Sequence, residues 1–162
     1  MADPAVQLTC ALLLSYIFLS AAWHKWRDLE TFRETLANYQ LLPTALLPIA
    51  AVLVPLAELV AGFGLLIPFA YPFAAVIATA LMLMYLSAIG INLLRGRRRI
   101  DCGCGGPNQK QYLSEWLLLR NVILLLCAAL LIWPMVREPL WLDWLTALLA
   151  AGIGGLGYHI FN

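Results

Sequence analysis

Charged residues are scarce in this 162-residue chain: they make up 12% of it, whereas 63% of its residues are hydrophobic. A water-soluble domain usually has about a quarter charged residues, so the composition argues against an ordinary soluble core. The net charge of +1 gives no case for a nucleic-acid-binding protein. Four cysteines do not indicate a disulfide-stapled scaffold, and the sequence has no phosphate-binding glycine motif. The composition therefore indicates an integral membrane protein.

Five apolar stretches of near-bilayer length predict an all-α, polytopic membrane helix bundle that forms one domain over residues 1–162. Because backbone polar groups must be paired within lipid, unbroken apolar runs favour helices over barrel strands. The first stretch lacks a basic leader and a cleavage site, so we expect it to be retained. Segment 26–39 has helical spacing and is predicted to lie on the membrane surface as an anchor or a lid. The predicted transmembrane helices are 6–23, 43–67, 72–94, 113–136 and 140–160.

Lysines and arginines are concentrated on one predicted side of the membrane. The segments after the first and third helices carry eight of them, whereas the opposite side has only Arg137. Cytoplasmic loops carry the excess of positive charge in membrane proteins. We therefore expect a bacterial inner-membrane protein with its N-terminus outside, and with the loop 95–112 and the C-terminus in the cytoplasm.

Small residues recur every four positions in the third and fifth predicted helices. Such stripes let helix backbones approach closely, which indicates packing inside the bundle or, alternatively, a homo-oligomer or partner-helix surface. The residues of the two stripes are Ala70, Ala74, Ala78, Ala147, Ala151 and Gly155.

The segment RGRRRIDCGCGG, residues 95–106, places Cys102 and Cys104 one glycine apart beside a run of arginines. One interpretation is thiol–disulfide exchange, because nearby cations stabilise a thiolate, which is the nucleophile in that reaction. A disulfide within Cys-Gly-Cys would close a strained ring that is easily reduced. The cations that would stabilise the thiolate are Arg97, Arg98 and Arg99.

Two other interpretations of this segment remain open. Two thiolates can bind a soft metal ion, and a closed zinc site needs two further ligands. The alternative metal ligands are Cys102, Cys104, His24 and His159, since both histidines fall near the same predicted membrane face. The third interpretation is an inert loop whose arginines anchor it at the lipid headgroups.

A few polar residues lie within or at the ends of the predicted helices. Glu58 near the middle of the second helix is either a carboxyl group that handles a proton or a quinone, or a structural clamp between helices. Arg120, beside Asn121, could reach the cationic face, pair with Glu58 or stabilise a thiolate. Together with Asn92 and Lys25, these residues would form one polar mouth around the Cys-Gly-Cys segment.

Cys10 and Cys127 fall within the first and fourth predicted helices. Buried cysteines usually behave as small apolar residues. The alternative is a second thiol pair that passes electrons across the bilayer. We expect both cysteines in the outer half of the membrane but at different depths, which argues against such a pair.

Four pieces of sequence, in a fixed order, carry a resemblance to a known family. They are the stretch from Lys25 to Pro43 that ends in ANYQLLP, the motif PLAELVAGFGLL, the loop INLLRGRRRIDCGCGG, and LLLRN around Arg120 and Asn121. In these features the chain resembles the methylamine-utilisation MauE family, within the wider DoxX-like group of small membrane proteins.

The resemblance implies a four-helix core with an added helix, and a role in the redox maturation of a periplasmic partner. In methylamine utilisation, after which the family is named, that partner is the disulfide-rich small subunit of methylamine dehydrogenase. A thioredoxin-like protein is the expected second partner. A cytoplasmic thiol pair and a periplasmic client would need a relay through a quinone or through the intramembrane cysteines. The family's motif falls on Cys102, Cys104, Glu58, Arg120 and Asn121.

Overall fold

The structure, a computed structural model, describes residues 3–67, 69–97, 100, 113–133 and 136–160, with side chains described up to Gly157. These residues confirm the predicted all-α bundle, and no strand occurs among them. A short 3-10 turn at Thr44–Leu46 precedes the third helix. The helices are α1 (Pro4–Arg27), α2 (Leu29–Tyr39), α3 (Leu47–Gly64), α4 (Tyr71–Leu94), α5 (Glu115–Leu130) and α6 (Trp141–Ile160).

Several described helices have the length and composition of membrane spans. α1, the segment Thr44–Gly64 and α4 are long and apolar enough to cross a bilayer, and α6 contains a shorter apolar stretch, Trp141–Gly157. α5 has 16 residues, or about 24 Å at 1.5 Å per residue, which is less than a typical hydrocarbon core. Large apolar side chains such as Phe73 and Ile153 are exposed on the outside of the bundle. This distribution is that of a membrane protein.

Aspartate caps set where the first two helices begin. The side chain of Asp3 accepts a hydrogen bond from the backbone N–H of Ala5 at the start of α1. Asp28, which separates α1 from α2, accepts bonds from the hydroxyl and the backbone N–H of Thr31. The Thr31 hydroxyl and then its N–H lower the pKa of Asp28 below its usual range. The cap lets the chain turn sharply, so that α2 folds back against α3.

Glycine ends α4 and directs the chain into the Cys-Gly-Cys segment. Gly96 has a φ of 72°, a left-handed conformation that glycine adopts without strain. Its N–H binds the carbonyl of Leu93, and the N–H of Arg97 binds the carbonyl of Asn92. This pair of bonds is a Schellman motif, which satisfies the last carbonyls of the helix.

Small residues allow close contact between neighbouring helices. Ser15 of α1 donates a hydrogen bond to the carbonyl of Gly62 at 2.8 Å, and a Cβ at Gly62 would lie 2.8 Å from the Leu19 side chain. A Cβ at Gly64 would lie 2.7 Å from the Cβ of Ala74 on α4. The small-residue stripes therefore contribute to packing inside the chain, as Ala147 of α6, which is fully buried, also shows.

Gln7 of α1 fixes the end of α5. Its side-chain amide donates to the carbonyls of Leu130, at 3.0 Å, and Trp133, at 2.7 Å. Both carbonyls lie at the end of α5, where the helix leaves such groups without intrahelical partners. The side chain is fully buried, so this contact joins the beginning of α1 to the end of α5.

Candidate functional site

Three side chains from three helices meet in a buried polar cluster. Lys25 Nζ of α1 lies 2.5 Å from Glu58 Oε1 of α3, and the hydroxyl of Tyr85 on α4 donates to the same oxygen at 2.5 Å. Lys25 Nζ also donates to Tyr85 at 3.0 Å. Because lipid cannot solvate a carboxylate or an ammonium group, each needs the other at this depth. We call Lys25, Glu58 and Tyr85 the polar cluster.

The polar cluster differs from the sequence-based expectation in its membership. Glu58 binds the cation of α1 and not Arg120, and α1 continues beyond the predicted end at residue 23, which brings Lys25 inward. Tyr85 was not singled out from the sequence. The sequence feature that could have identified Tyr85 is its position within an otherwise apolar helix, because a buried tyrosine hydroxyl usually has a hydrogen-bond partner.

A cavity of about 370 Å³ lies beside the polar cluster, between α2, α3 and α4. Its volume is within the range of small-molecule sites. The walls are almost entirely apolar, and the ammonium group of Lys25 also lies 5.0 Å from the ring centroids of Phe32 and Tyr85. Helix α2 forms one wall, so it covers this space. The lining residues include Lys25, Phe32, Leu36, Tyr39, Tyr85 and Ile89.

The segment that carries Cys102 and Cys104 begins and ends at one point next to this cavity. The N–H of Leu113 donates to the carbonyl of Ile100 at 3.2 Å. Ile100, Leu113 and Leu117 form a buried cluster with Tyr39 and Ile89, two residues that also line the cavity. The predicted site residues Cys102, Cys104, Arg98 and Arg99 lie outside the described residues.

The remaining predicted site residues lie on or next to α4 and α5, the helices that precede Ile100 and follow Leu113. Asn92 is fully buried and donates to the carbonyl of Ala88, and Asn121 donates to that of Leu117. Arg120 is partly buried on α5. Arg97 is also partly buried, and within the described part of the chain its Nη1 atom is buried without a hydrogen-bond partner. A guanidinium nitrogen is thus available where the thiol segment begins.

The alternative metal site remains a prediction. His24 is partly buried near the end of α1, but the side chain of His159 and both loop thiols lie outside the described residues. Over the described ranges, no group of three histidine, cysteine or acidic side chains could hold a metal ion.

Cys10 and Cys127, expected at different depths, lie at the same level of the bundle. Both pack in one apolar cluster, Gln7 one turn before Cys10 binds the carbonyl of Leu130 after Cys127, and neither cysteine forms a disulfide. Sequence reasoning placed them apart because it took α5 to run to residue 136, whereas the helix ends at Leu130. The earlier end brings Cys127 into the last turn of α5, level with the beginning of α1.

Comparison with known proteins identifies the family. The family model described as methylamine utilisation protein MauE matches residues 3–134. MauE of Paracoccus denitrificans is 39% identical over 75% of this chain and 66% of its own length. MauE of Methylophilus methylotrophus is 39% identical over 63% of this chain and 54% of its own length. MauE of Paracoccus versutus is 34% identical over 93% of this chain and 82% of its own length.

The match to these relatives is partial in length, since the chain spans between about half and four fifths of each of them. No solved structure matches the chain at a significant level. The family model nevertheless covers α1 to α5, which include the polar cluster, the cavity and the base of the Cys-Gly-Cys segment. The chain therefore belongs to the MauE family of methylamine utilisation proteins.

Proposed function

We propose that this chain is an inner-membrane accessory factor of methylamine utilisation that exchanges disulfides through Cys102 and Cys104. The names of its relatives support the link to methylamine. A thioredoxin-like protein would be the exchange partner. The client would be a disulfide-rich periplasmic protein such as the small subunit of methylamine dehydrogenase.

The hydrogen bond between Leu113 and Ile100, the residues on either side of the thiol segment, is the observation that carries this proposal. This bond joins the two residues that flank segment 101–112, and both belong to one buried cluster. Arg97 lies where this segment begins, and its buried Nη1 atom can stabilise a thiolate. Cysteines one residue apart are suited to alternate between a dithiol and a strained disulfide.

The proposed exchange is a balanced two-electron reaction. The thiolate of one cysteine attacks a sulfur of the partner's disulfide and forms a mixed disulfide, which releases one partner thiolate. The second cysteine then attacks the mixed disulfide and releases the other partner thiolate. Cys102 and Cys104 gain a sulfur–sulfur bond, and the partner gains two electrons. The reverse sequence passes the disulfide to a reduced partner.

Loss of the loop thiols tests this function in cells that depend on this protein for an active methylamine dehydrogenase. Cys102→Ser and Cys104→Ser are each expected to abolish formation of the client's disulfides, measured by mass spectrometry after alkylation. Asn108→Ser is the matched control, because it places a serine in the same segment and keeps both thiols. Native client disulfides in the double serine variant, with normal membrane levels of the protein, would contradict the proposal.

We further propose that the cavity holds the ring of a membrane quinone. Its apolar walls suit a lipid-soluble ring, and Lys25, which has a third N–H beyond those donated to Glu58 and Tyr85, places a polar hydrogen at one end, where a quinone carbonyl could accept it. Leu36→Trp would fill the cavity and is expected to reduce binding of decylubiquinone at least tenfold by fluorescence quenching. Leu56→Trp, on the exposed face of α3, is the control. Unchanged quinone binding by Leu36→Trp would contradict this assignment.

A further inference from the structure

A second pair of thiols lies at the opposite end of the bundle from segment 101–112. Cys10 is in the second turn of α1 and Cys127 is in the last turn of α5, and both pack in the same apolar cluster. The register of the two helices is fixed by Gln7, one turn before Cys10, which binds the carbonyl of Leu130, almost one turn after Cys127. The packing of α1 on α5 therefore brings the two cysteines to one level.

The surroundings of the pair decide which reactants can reach it. Cys10 is 6% exposed and belongs to the apolar core, whereas Cys127 is partly exposed and packs against that core. A protein partner in water has no access to thiols in this position. A lipid-soluble molecule does, and a cavity of about 260 Å³ lined by Leu8, Ala11 and Tyr71 lies in the same end of the bundle.

The hydroxyl of Tyr71 provides a polar group beside the thiols. It is buried without a hydrogen-bond partner among the described residues, and its ring packs against the apolar cluster that contains Cys10. A buried hydroxyl with no partner is costly in lipid, which suggests that it has a role. It can donate a hydrogen bond to the thiolate that forms when a disulfide opens.

We propose that Cys10 and Cys127 are a reversible intramembrane redox pair that a membrane quinone oxidises to a disulfide. Two S–H bonds break and one S–S bond forms. The two electrons and two protons pass to the two quinone oxygens, which gives one quinol for each disulfide. The sulfurs must approach to about 2.05 Å to form this bond. The pair stands apart from the loop thiols and does not depend on the function proposed for them.

The test uses the full chain with Cys102→Ser and Cys104→Ser, purified in lipid nanodiscs, so that Cys10 and Cys127 are the remaining thiols. Decylubiquinone is expected to remove both alkylatable thiols and to yield one quinol per chain by its ultraviolet absorbance. Mass spectrometry of digested protein should find the peptides of Cys10 and Cys127 joined, and dithiothreitol should separate them.

The control is the same protein with Cys127→Ala, which keeps Cys10 and the apolar surroundings. It is expected to yield no quinol and to keep its single thiol. The wild-type chain, mapped by peptide, gives the same readout without any loss of native residues. The proposal is overturned if both thiols remain alkylatable after quinone treatment, or if the joined peptides come only from cross-linked dimers.

Discussion

Lys25 Nζ and Glu58 Oε1 lie 2.5 Å apart between α1 and α3, and the two side chains are 4% and 1% exposed. A charged pair at this burial stabilises the fold only while both members are present, because either one alone is an unsolvated charge. The same pair borders the cavity that we assign to a quinone. The cluster is therefore both a structural clamp and part of a candidate binding site, which the sequence presented as alternatives for Glu58.

Removal of one partner should be far more harmful than removal of both. Lys25→Met is expected to destabilise the protein by about 3–5 kcal/mol, because it leaves the Glu58 carboxylate buried without a cation. The double variant Lys25→Met, Glu58→Leu is expected to recover most of that loss. Detergent-induced unfolding, followed by circular dichroism, measures both. Equal losses in the single and double variants would show that the two charges are not coupled.

Close packing of α3 on α4 makes Gly64 sensitive to a single methyl group. Gly64→Ala is expected to cost about 1–3 kcal/mol, because its Cβ would lie 2.7 Å from the Cβ of Ala74 and the helices would have to separate. Gly152→Ala in α6 is the matched control, since nothing lies within 4 Å of its added Cβ. It should be neutral or slightly stabilising in a thermal unfolding measurement.

The amide of Gln7 should be important for the end of α5. Gln7→Leu leaves the carbonyls of Leu130 and Trp133 without their donor, and we expect a loss of about 1–3 kcal/mol in unfolding free energy. Thr9→Val is the control, because the Thr9 hydroxyl binds only the carbonyl of Ala5 within α1. Hydrogen exchange of the last turn of α5 should rise in the Gln7 variant alone, and unchanged protection there would contradict this role.

The attachment of α2 should weaken at low pH. Hydrogen bonds from Thr31 lower the pKa of Asp28, so its contribution is present above the pKa of the unfolded chain and is lost as the pH falls through the lower, folded value. Proteolysis between α1 and α2 is therefore expected to speed up in acid. Asp28→Asn keeps a capping oxygen and should remove this pH dependence, whereas persistence of the dependence would assign it to another group.

The helical class and the position of most helices could be predicted from apolar length alone. The helix ends could not, because they depend on single contacts between distant residues: Gln7 sets the end of α5, and Lys25 is drawn inward by Glu58. The acidic member of the polar cluster was visible as a charge within an apolar run. Lys25 was predicted to belong to the same polar mouth, but its ion pair with Glu58 was not predicted, since Lys25 lies next to a charged segment and was counted with the loop.

The shared level of Cys10 and Cys127 in the bundle shows the same limit. Their separation along the chain and the assumed helix lengths placed them at different depths, and no local pattern in the sequence links them. The antiparallel register of α1 and α5, which brings the two cysteines to one level, is set by the tertiary bond from Gln7 to Leu130.

The hydrogen bond between Ile100 and Leu113 affects how freely the sequence of the Cys-Gly-Cys segment can change during evolution. Ile100 and Leu113, which flank residues 101–112, are joined by a hydrogen bond and belong to one buried apolar cluster. Insertions or substitutions within residues 101–112 therefore need not alter the direction of α4 or α5. The sequence of this segment can thus vary without a change in the helix bundle. Relatives could therefore differ at these twelve positions while they keep the same helix bundle.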